Sequence, residues 1–130
     1  IFSGFMERLP NLKLLLGRLG GSITLYAGRI QQGWEMRHKR KDGPSWGPDN
    51  LSESFMDSLQ KIHVDTQTYH PPAIKCAVET LGIERVLYGT DYPPVPRSRA
   101  LSIDDVRDTL LPPDQLQMIL GDNAARLFNI

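Results

Sequence analysis

Three residues of this 130-residue chain combine a chemically useful side chain with a position just after a short apolar segment, namely Arg18, His70 and Asp91. A carboxylate such as Asp91 can bind a divalent metal or accept a proton, and histidine can bind a metal or transfer a proton near neutral pH. Arginine stays protonated, so Arg18 cannot shuttle a proton, but its guanidinium can clamp a carboxylate with two hydrogen bonds. Arg29 follows in the next predicted helix. These four residues are the candidates for a functional site.

The overall composition argues against several kinds of partner and cofactor. Fifteen Lys and Arg residues balance fifteen Asp and Glu residues, and this net charge of zero argues against nucleic acid and anionic membranes as partners. The longest apolar run, Leu12 to Leu16, is far shorter than the roughly 20 residues of a membrane helix. The glycines after this run match neither a dinucleotide-binding nor a P-loop spacing. The single cysteine, Cys76, forms no internal disulfide and no signal peptide is visible, so we expect a cytoplasmic location.

Strands that alternate with helices have to position the four candidate residues. Short apolar or β-branched runs predict strands over Leu12 to Leu16, Ile62 to Thr66 and Arg85 to Gly89. Helices between such strands indicate a parallel sheet in an α/β fold. Functional residues of these folds gather in the loops at the carboxyl ends of the strands, and Arg18, His70 and Asp91 all lie in such loops.

Helical spacing of apolar residues predicts the intervening helices. We expect helices over residues 1–9, 23–37, 51–59, 71–81, 102–110 and 113–120, followed by a final turn over 123–128. Asn50 or Ser52 is the predicted cap of the third helix, and Ser102 is the predicted cap of the fifth. Gly121 and Asp122 are expected to break the last helix. The basic run from Arg37 to Lys41 is interpreted as a solvated helix end rather than a phosphate site.

Five segments in order resemble the amidohydrolase-related (amidohydrolase 2) family of metal-dependent hydrolases, in particular its aminocarboxymuconate-semialdehyde decarboxylase type. They begin at Asn11 (NLKLLLGRLGG), Ala27 (AGRI), His70 (HPPA), Arg85 (RVLYGTDYP) and Asn123 (NAARLF). The resemblance covers nearly the whole chain. It implies an α/β fold that is the C-terminal half of a TIM (β/α)8 barrel, with residues 1–130 forming a partial domain that contains the last three strands and their helices.

The resemblance also implies a site for one divalent metal, usually zinc, in which Asp91 matches the aspartate that closes the ligand set on the last strand. The other ligands of the family, a His-x-His pair and a further histidine, are expected outside this chain. Arg18 stands where members of the family have a histidine that acts as acid and base. Arg29 matches an arginine that binds a substrate carboxylate in the partner's active site, which implies a homodimer.

Each candidate could instead have a purely structural role, with no part in catalysis or binding. Asp91 could form only an Asx turn before Pro93, Arg18 could pair with a neighbouring acid, and Arg29 could be a solvated helix residue. For His70, which precedes two prolines, a role in shaping the loop is the favoured interpretation.

The function that the resemblance implies is that of a metal-dependent hydrolase or non-oxidative decarboxylase of a carboxylate-bearing small molecule, with Asp91 and Arg18 as catalytic residues. The alternative is a catalytically inactive fragment or association domain of the same fold, which the arginine at position 18 favours. A complete barrel needs about 250 residues and eight strands. We therefore expect the 130 residues alone to lack activity and to have a sheet edge that something else covers.

Overall fold

The structure of the protein, a computed structural model, describes residues 1–36, 51–94 and 99–130. The basic run from Arg37 to Lys41 and the predicted cap Asn50 lie outside these residues. The helices and strands of the described ranges are, in order, α1 Phe5–Arg8, β1 Leu15–Leu16, α2 Ala27–Met36, α3 Phe55–Leu59, β2 His63–Asp65, α4 Pro71–Leu81, β3 Val86–Leu87, α5 Arg99–Arg107, α6 Pro113–Gln117 and α7 Asn123–Phe128.

The three strands form one parallel sheet in the order β1, β2, β3, as the alternation of strands and helices predicts. In the register, Leu16 pairs with Val64, and Val64 pairs with Val86. The strands are shorter than predicted because their regular pairing covers only two or three residues each. The fold class is therefore confirmed, while the predicted strand boundaries are too wide.

The two faces of the sheet differ in what covers them. Val64 and Val86 are fully buried and join a core that contains Ile74 of α4 and Ile119 near the C-terminus. Side chains alternate between the faces of a strand, so residues one position away point to the opposite side. On that side Leu15 remains 41% exposed. His63 and Leu87 on the same side are nevertheless buried, so this face is exposed chiefly at β1, while the hydrophobic core cluster lies on the face of Val64 and Val86.

Several helices begin at residues other than the predicted ones. Ser54, not Ser52, caps α3, because its hydroxyl accepts the Asp57 N–H and the Asp57 carboxylate accepts the Ser54 N–H, both at 3.1 Å. Helix α2 begins at Ala27 after a run of turns rather than at Ile23. Helix α5 begins at Arg99, so Ser102 lies within it and is not its cap.

The predicted break at Gly121 and Asp122 is wrong, because a π-helical turn over Met118–Asp122 continues into α7. Tertiary contacts hold this segment on β3. The buried Asn123 amide donates to the carbonyl oxygens of Ile83 and Val86, both at 2.8 Å. These two buried hydrogen bonds fasten the start of α7 beneath the strand that leads to Asp91.

Candidate active site

The loop after β1 carries Arg18 on an unusual backbone turn. Arg18 and Leu19 have φ angles of 54° and 55°, so two consecutive non-glycine residues adopt the left-handed conformation. The Leu19 side chain is buried, whereas Arg18 is exposed. Arg18 forms no ion pair with a carboxylate of the described residues, so the alternative of a neighbouring acid finds no support there.

The loop after β3 presents the Asp91 carboxylate. Asp91 is half-buried and has a φ of 58°. The local turn uses Thr90 instead, because its hydroxyl accepts the Tyr92 N–H at 3.2 Å. Within the described ranges, the Asp91 carboxylate takes part in no hydrogen bond or ion pair, so the Asx-turn alternative also finds no support.

Asp65, at the end of the central strand, is a site residue that the sequence reasoning missed. One carboxylate oxygen, Oδ1, accepts the N–H of Leu19 from the first loop and the N–H of Gln67 from its own loop, both at 3.0 Å. The neighbouring Thr66 hydroxyl accepts the Gly89 N–H at 3.2 Å and lies 3.3 Å from the Gly89 carbonyl oxygen, to which it can donate. The pair therefore connects all three loops. The available signal was an acid at the carboxyl end of a β-branched run, but the predicted strand, Ile62 to Thr66, extended past Asp65.

The other two candidates lie apart from these contacts. His70 precedes α4, and its carbonyl oxygen accepts the N–H groups of Ala73 and Ile74 at 3.0 and 3.3 Å. Its ring makes no capping hydrogen bond and is exposed, which agrees with a role in shaping the loop. Arg29 lies exposed in the first turn of α2 and forms no hydrogen bond or ion pair with the described residues.

A metal centre cannot be assembled from the described residues alone, because they contain no group of three or more His, Cys, Asp or Glu side chains that could hold an ion. An unpaired carboxylate at the carboxyl end of a strand nevertheless suits a divalent cation as one ligand. Asp91 therefore fits a shared site whose remaining ligands come from elsewhere.

The opposite end of the sheet contains a basic cavity of about 560 Å³. Lys13, Lys61, His63, Arg85 and Arg126 contribute to its lining, together with Glu84. Burial lowers the pKa of His63, and the positive charges of Arg85 and Lys13 lower it further. The Arg85 guanidinium nitrogen Nη1 lies 3.3 Å from His63 Nε2. Because this end holds the amino ends of the strands, it is separate from the loops that carry Arg18 and Asp91.

The lowered pKa of His63 predicts that acid destabilises the protein. The unfolded chain binds a proton at its ordinary pKa of 6.5, while folded His63 resists protonation until lower pH. The free energy of unfolding should therefore fall as pH drops below about 6.5. Urea unfolding from pH 7.5 to 5 should show a shallower pH dependence in a His63→Gln variant than in wild type.

The matched control for this measurement is His70→Gln, which changes an exposed ring and should keep the wild-type slope. The carboxyl groups of Glu7 and Asp57, whose pKa values are lowered by hydrogen bonds, lose their contribution only at more acidic pH. Equal slopes in wild type and His63→Gln would contradict the prediction.

A parallel sheet whose hydrophobic core packs on one face, with a carboxylate in the loop at the carboxyl end of its last strand, is the architecture of part of a metal-dependent (β/α)8 barrel. The family model described as Amidohydrolase matches residues 1–130, and the chain belongs to this family.

Relatives of known structure or function agree with this assignment. The chain is 33% identical over 97 residues to 2-amino-3-carboxymuconate-6-semialdehyde decarboxylase of Dictyostelium discoideum, covering 72% of this chain and 24% of the relative. It superposes with a TM-score of 0.84 and 27% identity on 5-carboxyvanillate decarboxylase from Sphingomonas paucimobilis, covering 99% of this chain and 37% of that one. The chain thus spans 24% to 37% of the length of these relatives.

A third relative shows the same fold with a metal present. The dihydroxybenzoic acid decarboxylase from Polaromonas sp. JS666 contains bound manganese and the inhibitor 2-nitroresorcinol. The chain matches it with a TM-score of 0.79 and 22% identity, covering 98% of this chain and 36% of that one.

Over the described ranges, no helix has both the length and the apolar character needed to cross a membrane.

Proposed function

We propose that the natural full-length protein is a metal-dependent, non-oxidative decarboxylase of a small aromatic carboxylate, and that residues 1–130 form one partial barrel domain within it. The observation that carries the proposal is the Asp91 carboxylate, which lies after the carboxyl end of β3 and has no partner among the described residues. By its resemblance to the family motif, Asp91 would be the metal-binding aspartate, and the named relatives of the chain are decarboxylases.

Asp91 would be the ligand that this chain contributes to the metal. The family resemblance favours zinc, while the Polaromonas relative contains manganese. When bound, a divalent cation would polarise a substrate oxygen as a Lewis acid. The role of Asp91 would be to hold that cation at the carboxyl end of β3, at the same edge of the sheet as the Arg18 loop but on the other side of the central strand β2.

Arg18 would bind the substrate carboxylate through its two-pronged guanidinium. In decarboxylation, the bond between the ring carbon and the carboxylate breaks, CO₂ leaves, and the electron pair stays on the ring carbon until a proton reaches it. Arg18 cannot supply this proton near neutral pH because arginine does not release it there. The proton must therefore come from another group, and the proposed role of Arg18 is to bind and orient the substrate carboxylate.

Arg29 would bind a second anionic group of the substrate in the partner's site, which makes the full-length protein a homodimer. Its exposed position, free of ion pairs within the described ranges, leaves the guanidinium available for this contact. A cytoplasmic location is proposed with it, on the basis of the single cysteine.

The proposal is tested by assaying the full-length protein for CO₂ release from 5-carboxyvanillate and from dihydroxybenzoic acids, with metal content measured by mass spectrometry. We expect about one divalent cation per chain and turnover that disappears on chelation. Hydrolysis of an ester or amide without CO₂ release would show that the protein is a hydrolase rather than a decarboxylase. A protein that binds no metal and turns over neither class would contradict the proposal.

A catalytically inactive protein is the second candidate, because Arg18 replaces the histidine expected from the family. An Arg18→His variant separates the two. If the protein is a decayed enzyme, wild type should be inactive and the variant should gain activity. If Arg18 binds substrate in an active enzyme, wild type should be active and the variant should have a higher KM.

A further inference from the structure

We infer that Asp65 is a positioning residue that sets the backbone turn carrying Arg18 at the mouth of the sheet. The inference concerns the loops of the candidate active site and rests on the substrate-binding role proposed for Arg18. It assigns a role to a side chain that neither the metal nor the substrate contacts proposed above include.

The turn that presents Arg18 needs support from outside itself. L-amino acids other than glycine rarely adopt positive φ angles, yet Arg18 and Leu19 do so in succession. Such conformations persist where the surrounding structure fixes them. Two contacts do this at Leu19, since its side chain is buried and its N–H donates to Asp65 Oδ1 at 3.0 Å.

The Asp65 carboxylate is itself held in place. The same oxygen accepts the Gln67 N–H at 3.0 Å, which ties the side chain to its own loop. The next residue, Thr66, is buried and hydrogen bonded to both backbone groups of Gly89. The acceptor that fixes Leu19 is thus anchored to the second and third loops, and through them to the strand end that leads to Asp91.

The absence of a side chain at Gly89 leaves room for Asp65 between the strands, whereas a side chain at Gly17 would make only ordinary contact with it. Gly17 lies next to Asp65 across the sheet, one position beyond the paired Leu16 and Val64. A Cβ atom at Gly89 would lie 3.0 Å from the Asp65 Cβ, closer than packed carbon atoms approach, and one at Gly17 would lie 3.6 Å from Asp65 Oδ2. A side chain at position 89 would therefore displace Asp65 from the position in which it accepts the Leu19 N–H.

The torsion angles of Arg18 and Leu19 decide the direction in which the Arg18 side chain leaves the backbone. If Asp65 acts through this turn, its loss should matter only while Arg18 is present. A residue that merely stabilises the fold would instead impair both backgrounds equally. This difference makes a double-mutant cycle the appropriate measurement.

The cycle compares Asp65→Ala, Arg18→Ala and the double variant in the full-length protein, with kcat and KM for 5-carboxyvanillate as the readout. We expect Asp65→Ala to lower kcat/KM about 10-fold or more in wild type, mainly through KM, and less than about 2-fold in the Arg18→Ala background. Asp65→Asn keeps an acceptor oxygen and should retain most of the activity. The matched control is Asp57→Ala, which removes another carboxylate that accepts a backbone N–H, at the α3 cap.

A second readout does not depend on activity. Hydrogen exchange of the Leu19 amide should be fast in Asp65→Ala and slow in wild type, Asp65→Asn and Asp57→Ala. Equal protection of Leu19 in Asp65→Ala, or equal losses of kcat/KM in both backgrounds, would overturn the inference. If the protein neither turns over substrate nor binds 2-nitroresorcinol, the proposed function fails, and the exchange measurement still decides whether Asp65 sets the turn.

Discussion

Replacing Asp91 with alanine in the full-length protein is expected to remove most of the bound divalent cation and to lower kcat/KM by about 10³-fold or more. The cation contributes several kcal/mol of transition-state stabilisation in metal-dependent enzymes, which corresponds to about three powers of ten in rate. Asp91 is the carboxylate proposed as the metal ligand, and the described residues contain no group of three or more His, Cys, Asp or Glu side chains that could hold the cation in its absence. Metal content by mass spectrometry and CO₂ release measure the two effects on the same sample.

Asp108→Ala is a suitable control, because Asp108 is an exposed carboxylate that lies beyond the end of α5. It should keep wild-type metal content and turnover. Full metal content together with full turnover in Asp91→Ala would show that Asp91 is not a ligand. A folded Asp91→Ala variant, verified by an unchanged urea midpoint, excludes loss of structure as the cause of lost activity.

The parallel sheet and the placement of Asp91 could be predicted because both depend on local pattern. The segment from Arg85 to Gly89 contains β3, and the family motif includes the aspartate that follows this segment. The loop positions of Arg18 and His70 follow from the same pattern. The metal fit at Asp91 and the roles of Arg18 and Arg29 stay predictions.

Features that depend on contacts between distant segments could not be predicted. Asp65 is significant because its carboxylate meets the N–H of Leu19, 46 residues away, and no spacing rule relates the two. The continued helix through Gly121 has a similar cause. Glycine and aspartate normally interrupt a helix, but Asn123 and Ile119 hold this segment on β3 through hydrogen bonds that only the folded chain contains.

Replacing Arg18 with alanine is expected to raise KM for an aromatic carboxylate by roughly 10- to 150-fold. Hydrogen bonds to a charged group contribute about 1.5–3 kcal/mol, and each 1.4 kcal/mol is a tenfold change in affinity. Metal content should be unchanged, because Arg18 carries no metal-binding atom. Arg18→Lys should recover part of the loss, since an ammonium keeps the charge but not the two-pronged geometry.

The control for Arg18 is Arg126→Ala, which removes an exposed arginine at the opposite end of the sheet and should leave KM unchanged. The Arg18 and Asp91 variants should differ in which kinetic constant changes. Loss of a group that binds ground state and transition state equally raises KM, whereas loss of the metal ligand lowers kcat. If Arg18→Ala left KM unchanged and lowered only kcat, Arg18 would stabilise the transition state rather than bind the substrate, and the binding role proposed for it would be wrong.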